Sequence, residues 1–140
     1  MPDAPPARDV VRGYLDAVGS LDLETLARSF HDDVVMDLPY APPGFPQQVS
    51  GKPAVCEFFA GMPGFVAPLS FYDYQLVLVP ETDEVIAEYR SASEVLATGN
   101  PYRNRYISRF TVRDGVIERF AEYFDPLILI EALGGRVELP

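Results

Sequence analysis

The sequence contains few of the residues that form disulfides or bind transition metals. Among its 140 residues there are one cysteine, Cys56, and one histidine, His31. A single cysteine excludes a disulfide within the chain. One cysteine and one histidine are also too few for the usual sets of protein zinc ligands. We therefore expect no metal and no cofactor, so any chemistry has to come from other side chains.

Positive charge is also scarce. The chain has 11 basic residues against 21 acidic ones, a formal net charge of −10, and only one lysine, Lys52. Proteins that bind a phosphate backbone do so with clustered lysines and arginines. The arginines of this sequence are scattered, so we expect no nucleic-acid partner.

Long apolar runs are missing as well. A membrane-spanning helix needs about 18 or more consecutive apolar residues, and no stretch approaches that length. The opening residues, MPDAPPARD, contain neither the basic nor the apolar region that is typical of a signal peptide. We expect a cytoplasmic protein without a membrane partner.

What the sequence does contain is apolar and aromatic side chains. Apolar residues make up 48% of the chain, and they include nine Phe and eight Tyr. At this length, that composition is typical of one domain with a sizeable core. We predict a disordered N-terminus at 1–7, a single domain at 8–135 and a C-terminal tail at 136–140.

The first half of the chain has helical periodicity. A first helix is predicted from Ala7, and Asp22 is a suitable N-cap for a second one. A short strand is predicted at 34–38 and a proline-rich loop at 39–50. A third helix is expected to begin at Ser50 or Gly51.

The second half has β-rich composition. Four runs, at about 70–79, 84–97, 102–112 and 116–125, are separated by turn residues and predict an antiparallel meander. This order predicts an α+β domain, a cone-shaped barrel in which a strongly curved, mainly antiparallel sheet packs on the helices and encloses an apolar pocket. The last helix, 127–133, is apolar on nearly all sides, so it either closes the cavity or packs on another subunit. We expect a homodimer.

Glu122 lies in an unusual setting, within the sequence RFAEYFDPL at 119–127. The period of a strand puts Glu118, Phe120, Glu122 and Phe124 on one face. One interpretation is that Glu122 pairs with an arginine on a solvated face. The other is that it points into the cavity, where desolvation would raise its pKa from about 4.3 towards 6 or 7.

The turn at residues 113–115 decides the register and leaves two alternatives. A three-residue turn, Arg113-Asp114-Gly115, sets three inward pairs: Glu122 with Tyr106, Phe120 with Ser108, and Phe124 with Asn104. A two-residue turn, Asp114-Gly115, would place Glu122 opposite Ile107, near Arg105 and Arg109. The first is favoured because it avoids burying the two arginines.

Two long stretches resemble a known family. They are GYLDAVGSLDLETLARSFHDDVVMDLP at 13–39 and NPYRNRYISRFTVRDGVIERFAEYFDPL at 100–127, followed by EALGG at 131–135. The first is similar to ketosteroid-isomerase-like enzymes and the second to the phenazine-biosynthesis A/B proteins. The chain thus resembles SnoaL-like members of the nuclear transport factor 2-like superfamily. That resemblance implies a cone-shaped fold with an apolar pocket, and often a dimer.

The resemblance also suggests roles for single residues. The oxyanion-binding tyrosine of the isomerases falls at Tyr14, but their catalytic aspartate falls at Leu38. The catalytic glutamate of the phenazine proteins falls at Glu122, whereas their histidine falls at Phe58. A second oxyanion-binding acid would fall near Ser108. Ketosteroid isomerisation as such is therefore not expected.

These patterns lead to one main hypothesis and one alternative. The main hypothesis is a cofactor-independent enzyme that isomerises, cyclises or dehydrates a hydrophobic, polycyclic or polyketide-like metabolite. Its catalytic candidates are Glu122 as general acid/base, Tyr14 and Asp37. The substrate-binding candidates are Leu38, Tyr40, Phe58, Asn104, Tyr106, Ser108, Phe120 and Phe124. The alternative is a non-catalytic module that binds an apolar small molecule.

Overall fold

The computed structural model describes residues 4–140. Its helices are α1 (Ala7–Ser20), α2 (Leu23–Arg28), α3 (Lys52–Ala60), a 3-10 turn at Met62–Gly64, and α4 (Pro126–Ala132). Asp22 is the N-cap of α2, as predicted, since its carboxylate accepts a hydrogen bond from the Thr25 main-chain N–H at 3.2 Å. Of the predicted disordered segment, residues 1–3 lie outside the described residues. Ala7 belongs to α1.

Residues 4–140 contain eight strands. They are β1 (Phe30–Asp37), β2 (Gln48–Ser50), β3 (Tyr72–Val79), β4 (Glu84–Arg90), β5 (Ser93–Glu94), β6 (Pro101–Tyr102), β7 (Arg105–Arg113) and β8 (Val116–Phe124). Six form one sheet in the order β2-β1-β8-β7-β4-β3, and β5 pairs with β6. The α+β class and the mainly antiparallel sheet are therefore confirmed.

Four features of the strands differ from the prediction. β1 runs parallel to β8, and the end of the predicted loop forms β2, which pairs with β1. The predicted run 84–97 is divided into two strands with different partners, since β4 pairs with β7 and β5 pairs with β6. The sheet does not close into a barrel, since β2 and β3 remain its two edges.

The β7–β8 hairpin has neither of the two predicted registers. Arg113 pairs with Val116, so Asp114 and Gly115 form a two-residue turn with φ angles of 51° and 80°. Positive φ at both central positions is the geometry of a type I′ turn. One strand residue, Glu118, is then left unpaired between the pairs of Ile117 and Arg119, which makes a β-bulge.

The bulge determines which side chains point inward. Ile117 and Phe120, three positions apart, are both buried, and Glu122 pairs with the buried Ser108. Glu118 was predicted to share the face of Glu122. Instead it lies on the outside, where its carboxylate is 2.8 Å from the Arg113 guanidinium. The bulge thus lets a two-residue turn coexist with an inward Glu122.

The core lies between α1 and the concave face of the sheet. Tyr14 of α1 is at its centre, with ring centroids 5.3 Å from Phe120, 5.5 Å from Phe110 and 5.6 Å from Phe30. Aromatic pairs at these separations add to the free energy that burial supplies. Of the helices in residues 4–140, none is long and apolar enough to cross a membrane.

The hairpin turn provides a test of the fold. Substitution of Gly115 by alanine should lower the free energy of unfolding by about 1–2 kcal/mol, because φ is positive there. The new Cβ would also lie 2.9 Å from the Pro5 ring. Urea denaturation measures this change.

The same substitution at Gly13 is the control. Gly13 lies within α1 with nothing within 4 Å of an added Cβ, so alanine there should stabilise the protein by about 1 kcal/mol. Equal effects at the two positions would contradict the turn assignment.

Candidate active site

A cavity of about 370 Å³ opens between the concave face of the sheet and the helices. It is lined by Tyr14, Val18, Met36, Leu38, Ala41, Phe45, Phe58, Phe59, Gly61, Met62, Phe65, Val66, Leu69, Phe71, Tyr102, Tyr106, Phe120, Glu122, Phe124 and Leu129. Half of these residues are aromatic. Of the described residues, no lysine, arginine or histidine belongs to the lining. An apolar cavity with few polar groups is the usual form of a small-molecule site.

Among the described residues that line the cavity, Glu122 alone carries a carboxyl group. β8 directs it inward two residues before the strand ends, and its Oε2 accepts a hydrogen bond from the Tyr89 hydroxyl at 2.9 Å. The side chain is only half-buried, because the surface that it keeps faces the cavity. Burial raises the pKa of Glu122 from 4.5 to about 7, and the Tyr89 hydrogen bond opposes that rise. Both protonation states are therefore populated near neutral pH.

A buried hydrogen-bond chain holds Glu122 from behind. The Tyr89 hydroxyl lies 2.7 Å from the Ser108 hydroxyl, and Ser108 is fully buried. Since the single Tyr89 proton goes to Glu122, the Ser108 proton is the one shared with Tyr89. The Tyr89 ring itself is fixed by parallel stacking on Tyr106, with centroids 4.9 Å apart.

Tyr14 contributes a hydroxyl to the same cavity. Its pKa is raised well above the usual value, first by burial and then by the negative charge of Glu122. Tyr14 and Glu122 line the same cavity. Within residues 4–140, no hydrogen bond reaches the Tyr14 hydroxyl, yet it is not sealed from the cavity. It is therefore available to a ligand.

Asn104 holds the end of the cavity together. Its Oδ1 accepts the main-chain N–H groups of Arg105 and Asp125 at 2.8 and 3.2 Å. Its Nδ2 donates to the Tyr102 hydroxyl and to the Asp125 carbonyl, both at 3.0 Å. Asn104 thus ties the start of β7 to the junction between β8 and α4.

The structure brings most of the predicted site residues together. Seven of them line the cavity: Tyr14, Leu38, Phe58, Tyr106, Phe120, Glu122 and Phe124. Ser108 and Asn104, which we predicted to bind substrate, lie one layer behind the lining. Their polar groups are already bonded to other protein groups.

Asp37 and Tyr40 lie outside the cavity, which corrects their predicted placement. Met36 and Leu38 point inward, so the alternation of β1 turns Asp37 to the other face. There its carboxylate is 2.8 Å from Arg119 and also binds Gln48. Tyr40 is 56% exposed and packs edge-on against Tyr123. Neither residue has a position from which it could contact a ligand in the cavity.

Sequence reasoning missed two tyrosines of the site, Tyr89 and Tyr102. The signal for Tyr89 was present, since its neighbours Glu88 and Arg90 share the opposite, solvated face of β4. Tyr102 lies in a two-residue strand beside a turn, where alternation gives no signal. Its position becomes evident only from its contacts with Asn104 and Tyr106.

Taken together, the helices, the open curved sheet and the apolar cavity define an NTF2-like domain. The family model of the SnoaL-like domain matches residues 11–120. The chain therefore belongs to the SnoaL-like family of the NTF2-like superfamily. The resemblance drawn from the sequence is confirmed.

Three relatives illustrate this membership. The uncharacterized Bacillus subtilis protein YesE is 32% identical over 129 residues, which cover 92% of this chain and 88% of YesE. An uncharacterized PhzA/B-like protein of Pseudomonas aeruginosa, PA3332, is 31% identical, with 86% of this chain and 80% of that protein covered. The crystal structure of a Bacillus subtilis protein provisionally called an isomerase superposes with a TM-score of 0.87 at 32% identity, covering 93% and 94% of the two chains.

The environment of Glu122 can be measured without a substrate. In a carbon-13 NMR titration, the Glu122 carboxyl should show an apparent pKa near 7, because the cavity disfavours its charge. The variant Glu122→Gln assigns the signal. A carboxyl that titrated near 4, as solvated glutamates do, would contradict the burial described above.

Proposed function

We propose that this protein is a cofactor-independent enzyme that catalyses proton transfer at a carbon atom of a hydrophobic carbonyl compound, as an isomerase or cyclase does. One observation carries the proposal: a carboxyl group with a pKa near 7 lies in an apolar cavity, with one oxygen held by Tyr89. A general base is most effective when its pKa is close to the working pH. Membership of the SnoaL-like family supports the same reaction class.

The cavity suggests what the substrate looks like. A lining that is nearly all apolar and aromatic favours a ring compound with few polar groups. Its volume of about 370 Å³ is near the lower end of the 300–1,000 Å³ that is usual for small-molecule sites. Among the described residues, no basic side chain lines the cavity, so a negative charge on a substrate would have no positive partner there. We infer an uncharged compound of two or three rings.

The proposed step follows from the positions of Glu122 and Tyr14. The ionised Glu122 removes a proton from the carbon next to the carbonyl group. The C–H electron pair forms a carbon–carbon double bond, and the carbonyl oxygen takes up the negative charge as an enolate. The Tyr14 hydroxyl donates a hydrogen bond to that oxygen, and a single donor of this kind can lower a barrier by about 3 kcal/mol. Glu122 then returns the proton to the same or another carbon.

Hydrogen–deuterium exchange of β-tetralone in D₂O tests this step. β-Tetralone is an uncharged bicyclic ketone with exchangeable protons next to its carbonyl group. The protein should accelerate their exchange, and Glu122→Gln should reduce the acceleration by about 100-fold, because the general base is lost. Proton NMR follows the loss of signal.

The pH dependence of the exchange gives a second readout. The base acts only when ionised, so the rate constant should rise with pH through the Glu122 pKa of about 7 and level off above it. The matched control is Glu118→Gln, since Glu118 lies on the outer face of the same strand. Equal rates in the wild type and Glu122→Gln would contradict the mechanism. Ketone that binds without exchanging would instead support the alternative, a binding module.

We also propose that the protein forms a homodimer through the outer face of its sheet. The apolar helix α4, on which the dimer was first predicted, buries Leu129 and Ala132 within its own chain. The outer face exposes Val77 and Ile107 by 57% and 43%. Burying such side chains in a second copy would remove apolar surface from water.

Sedimentation equilibrium tests the dimer. We expect twice the chain mass of 15.5 kDa for the wild type. Ile107→Glu should shift the protein to monomer, since it places a charge in the proposed interface. A wild-type monomer at all concentrations would rule out the dimer.

A further inference from the structure

We propose that Tyr102 is a substrate-binding residue whose hydroxyl donates a second hydrogen bond to the substrate's carbonyl oxygen. This inference rests on the proposed function for the identity of the ligand, but its geometric basis is separate. It comes from the direction of the hydrogen bonds at the end of the cavity, where Asn104 and Tyr106 contact the Tyr102 hydroxyl and Ser91 contacts that of Tyr106.

The orientation of the Asn104 amide is the first step. Its Oδ1 receives two main-chain N–H groups, from Arg105 and Asp125. A flipped amide would point its NH₂ group at two donors, and donors cannot bond to each other. Nδ2 is thereby directed at the Tyr102 hydroxyl, 3.0 Å away.

The consequence for Tyr102 follows from the proton count. An amide NH₂ group only donates, so the Tyr102 oxygen accepts this hydrogen bond. The Tyr106 hydroxyl also points its proton at Tyr102, over a longer distance of 3.5 Å. In residues 4–140, no acceptor is bonded to the proton of Tyr102 itself.

The cavity is where we place an acceptor for that proton. Tyr102 is one of the lining residues, although only 6% of its surface is exposed. A buried hydroxyl that cannot donate loses a hydrogen bond, and a ligand oxygen would restore it. The hydrogen bonds received from Tyr106 and Asn104 also oppose the rise that burial causes in the pKa of Tyr102. Donors aimed at a hydroxyl oxygen strengthen its own donation.

The position of Tyr102 relative to the base completes the argument. Tyr102, Tyr14 and Glu122 all line the same cavity, so one ligand can contact all three side chains. A carbonyl oxygen has two lone pairs and can accept from both tyrosines. The carbon next to that carbonyl would then lie beside Glu122. Tyr102 would thus determine which carbon is deprotonated.

A matched pair of ligands isolates the proposed hydrogen bond. β-Tetralone and tetralin have nearly the same shape, and only the former has a carbonyl oxygen. Wild-type protein should bind β-tetralone more tightly than tetralin. Tyr102→Phe should reduce that advantage by about tenfold, the effect of roughly one hydrogen bond, and leave tetralin binding unchanged. Calorimetry measures the affinities.

The infrared carbonyl stretch of bound β-tetralone reports the hydrogen bond directly. It should move to higher wavenumber in Tyr102→Phe, because a donor to the oxygen has been removed. Tyr74→Phe is the control, since the Tyr74 hydroxyl binds Asp16 outside the cavity. This control should leave both the affinities and the stretch unchanged.

The outcomes separate this proposal from the proposed reaction. An unchanged ketone advantage in Tyr102→Phe would overturn the assignment, as would equal losses for tetralin and β-tetralone. A wild type that showed no preference for the ketone would overturn it too. These are binding measurements, so they can be repeated in Glu122→Gln. If Tyr102→Phe reduced the ketone advantage in a protein that did not catalyse exchange, the binding role of Tyr102 would be supported. Only the proposed reaction would then be contradicted.

Discussion

The burial of one carboxyl group without a positive partner is the constraint on which the rest of the site depends. Glu122 lies among aromatic side chains. Within residues 4–140, its carboxyl group accepts one hydrogen bond, from the Tyr89 hydroxyl. A buried charge is costly unless it is paired, so the proton is held until the pH approaches 7. The cavity therefore keeps a carboxyl group that can both donate and accept a proton under ordinary conditions. A lysine or arginine in the lining would abolish that property.

The remaining polar groups of the site are arranged around this carboxyl in two layers. Behind it, Ser108 and Tyr89 form a chain that fixes one oxygen and leaves the other to the cavity. Beside it, Asn104 orients Tyr102 by using main-chain groups whose positions are set by the sheet. Two residues first regarded as substrate ligands, Ser108 and Asn104, are thus supports for other side chains. Such supports hold catalytic groups at the separations that the chemistry needs.

The family and the fold limit the function to a class, and the cavity narrows it further. SnoaL-like proteins share a pocket-forming domain. Because one fold can host different reactions, any activity depends on the residues of the site. Here the positions at which the resemblance implied a catalytic aspartate and a histidine hold Leu38 and Phe58, and both line the cavity. Among the described lining residues, Glu122 is then the candidate for proton transfer. A single-base mechanism on an uncharged substrate suits such a cavity.

The sequence by itself determined the class of fold and the family, and it made Glu122 a candidate for the site. Helical and strand periodicities are local, and the aromatic setting of the glutamate is visible in the primary structure. Only the tertiary structure decided which way the Glu122 side chain points. A bulge at Glu118 offsets the two-residue turn. One extra residue in a strand moves the side chains beyond it to the opposite face. The placement of Asp37 outside the cavity and the donor role proposed for Tyr102 also required the structure. They depend on the contact of Asp37 with Arg119 and on the contacts of Asn104 with Asp125, which join residues far apart in the sequence, and a local pattern does not predict such contacts.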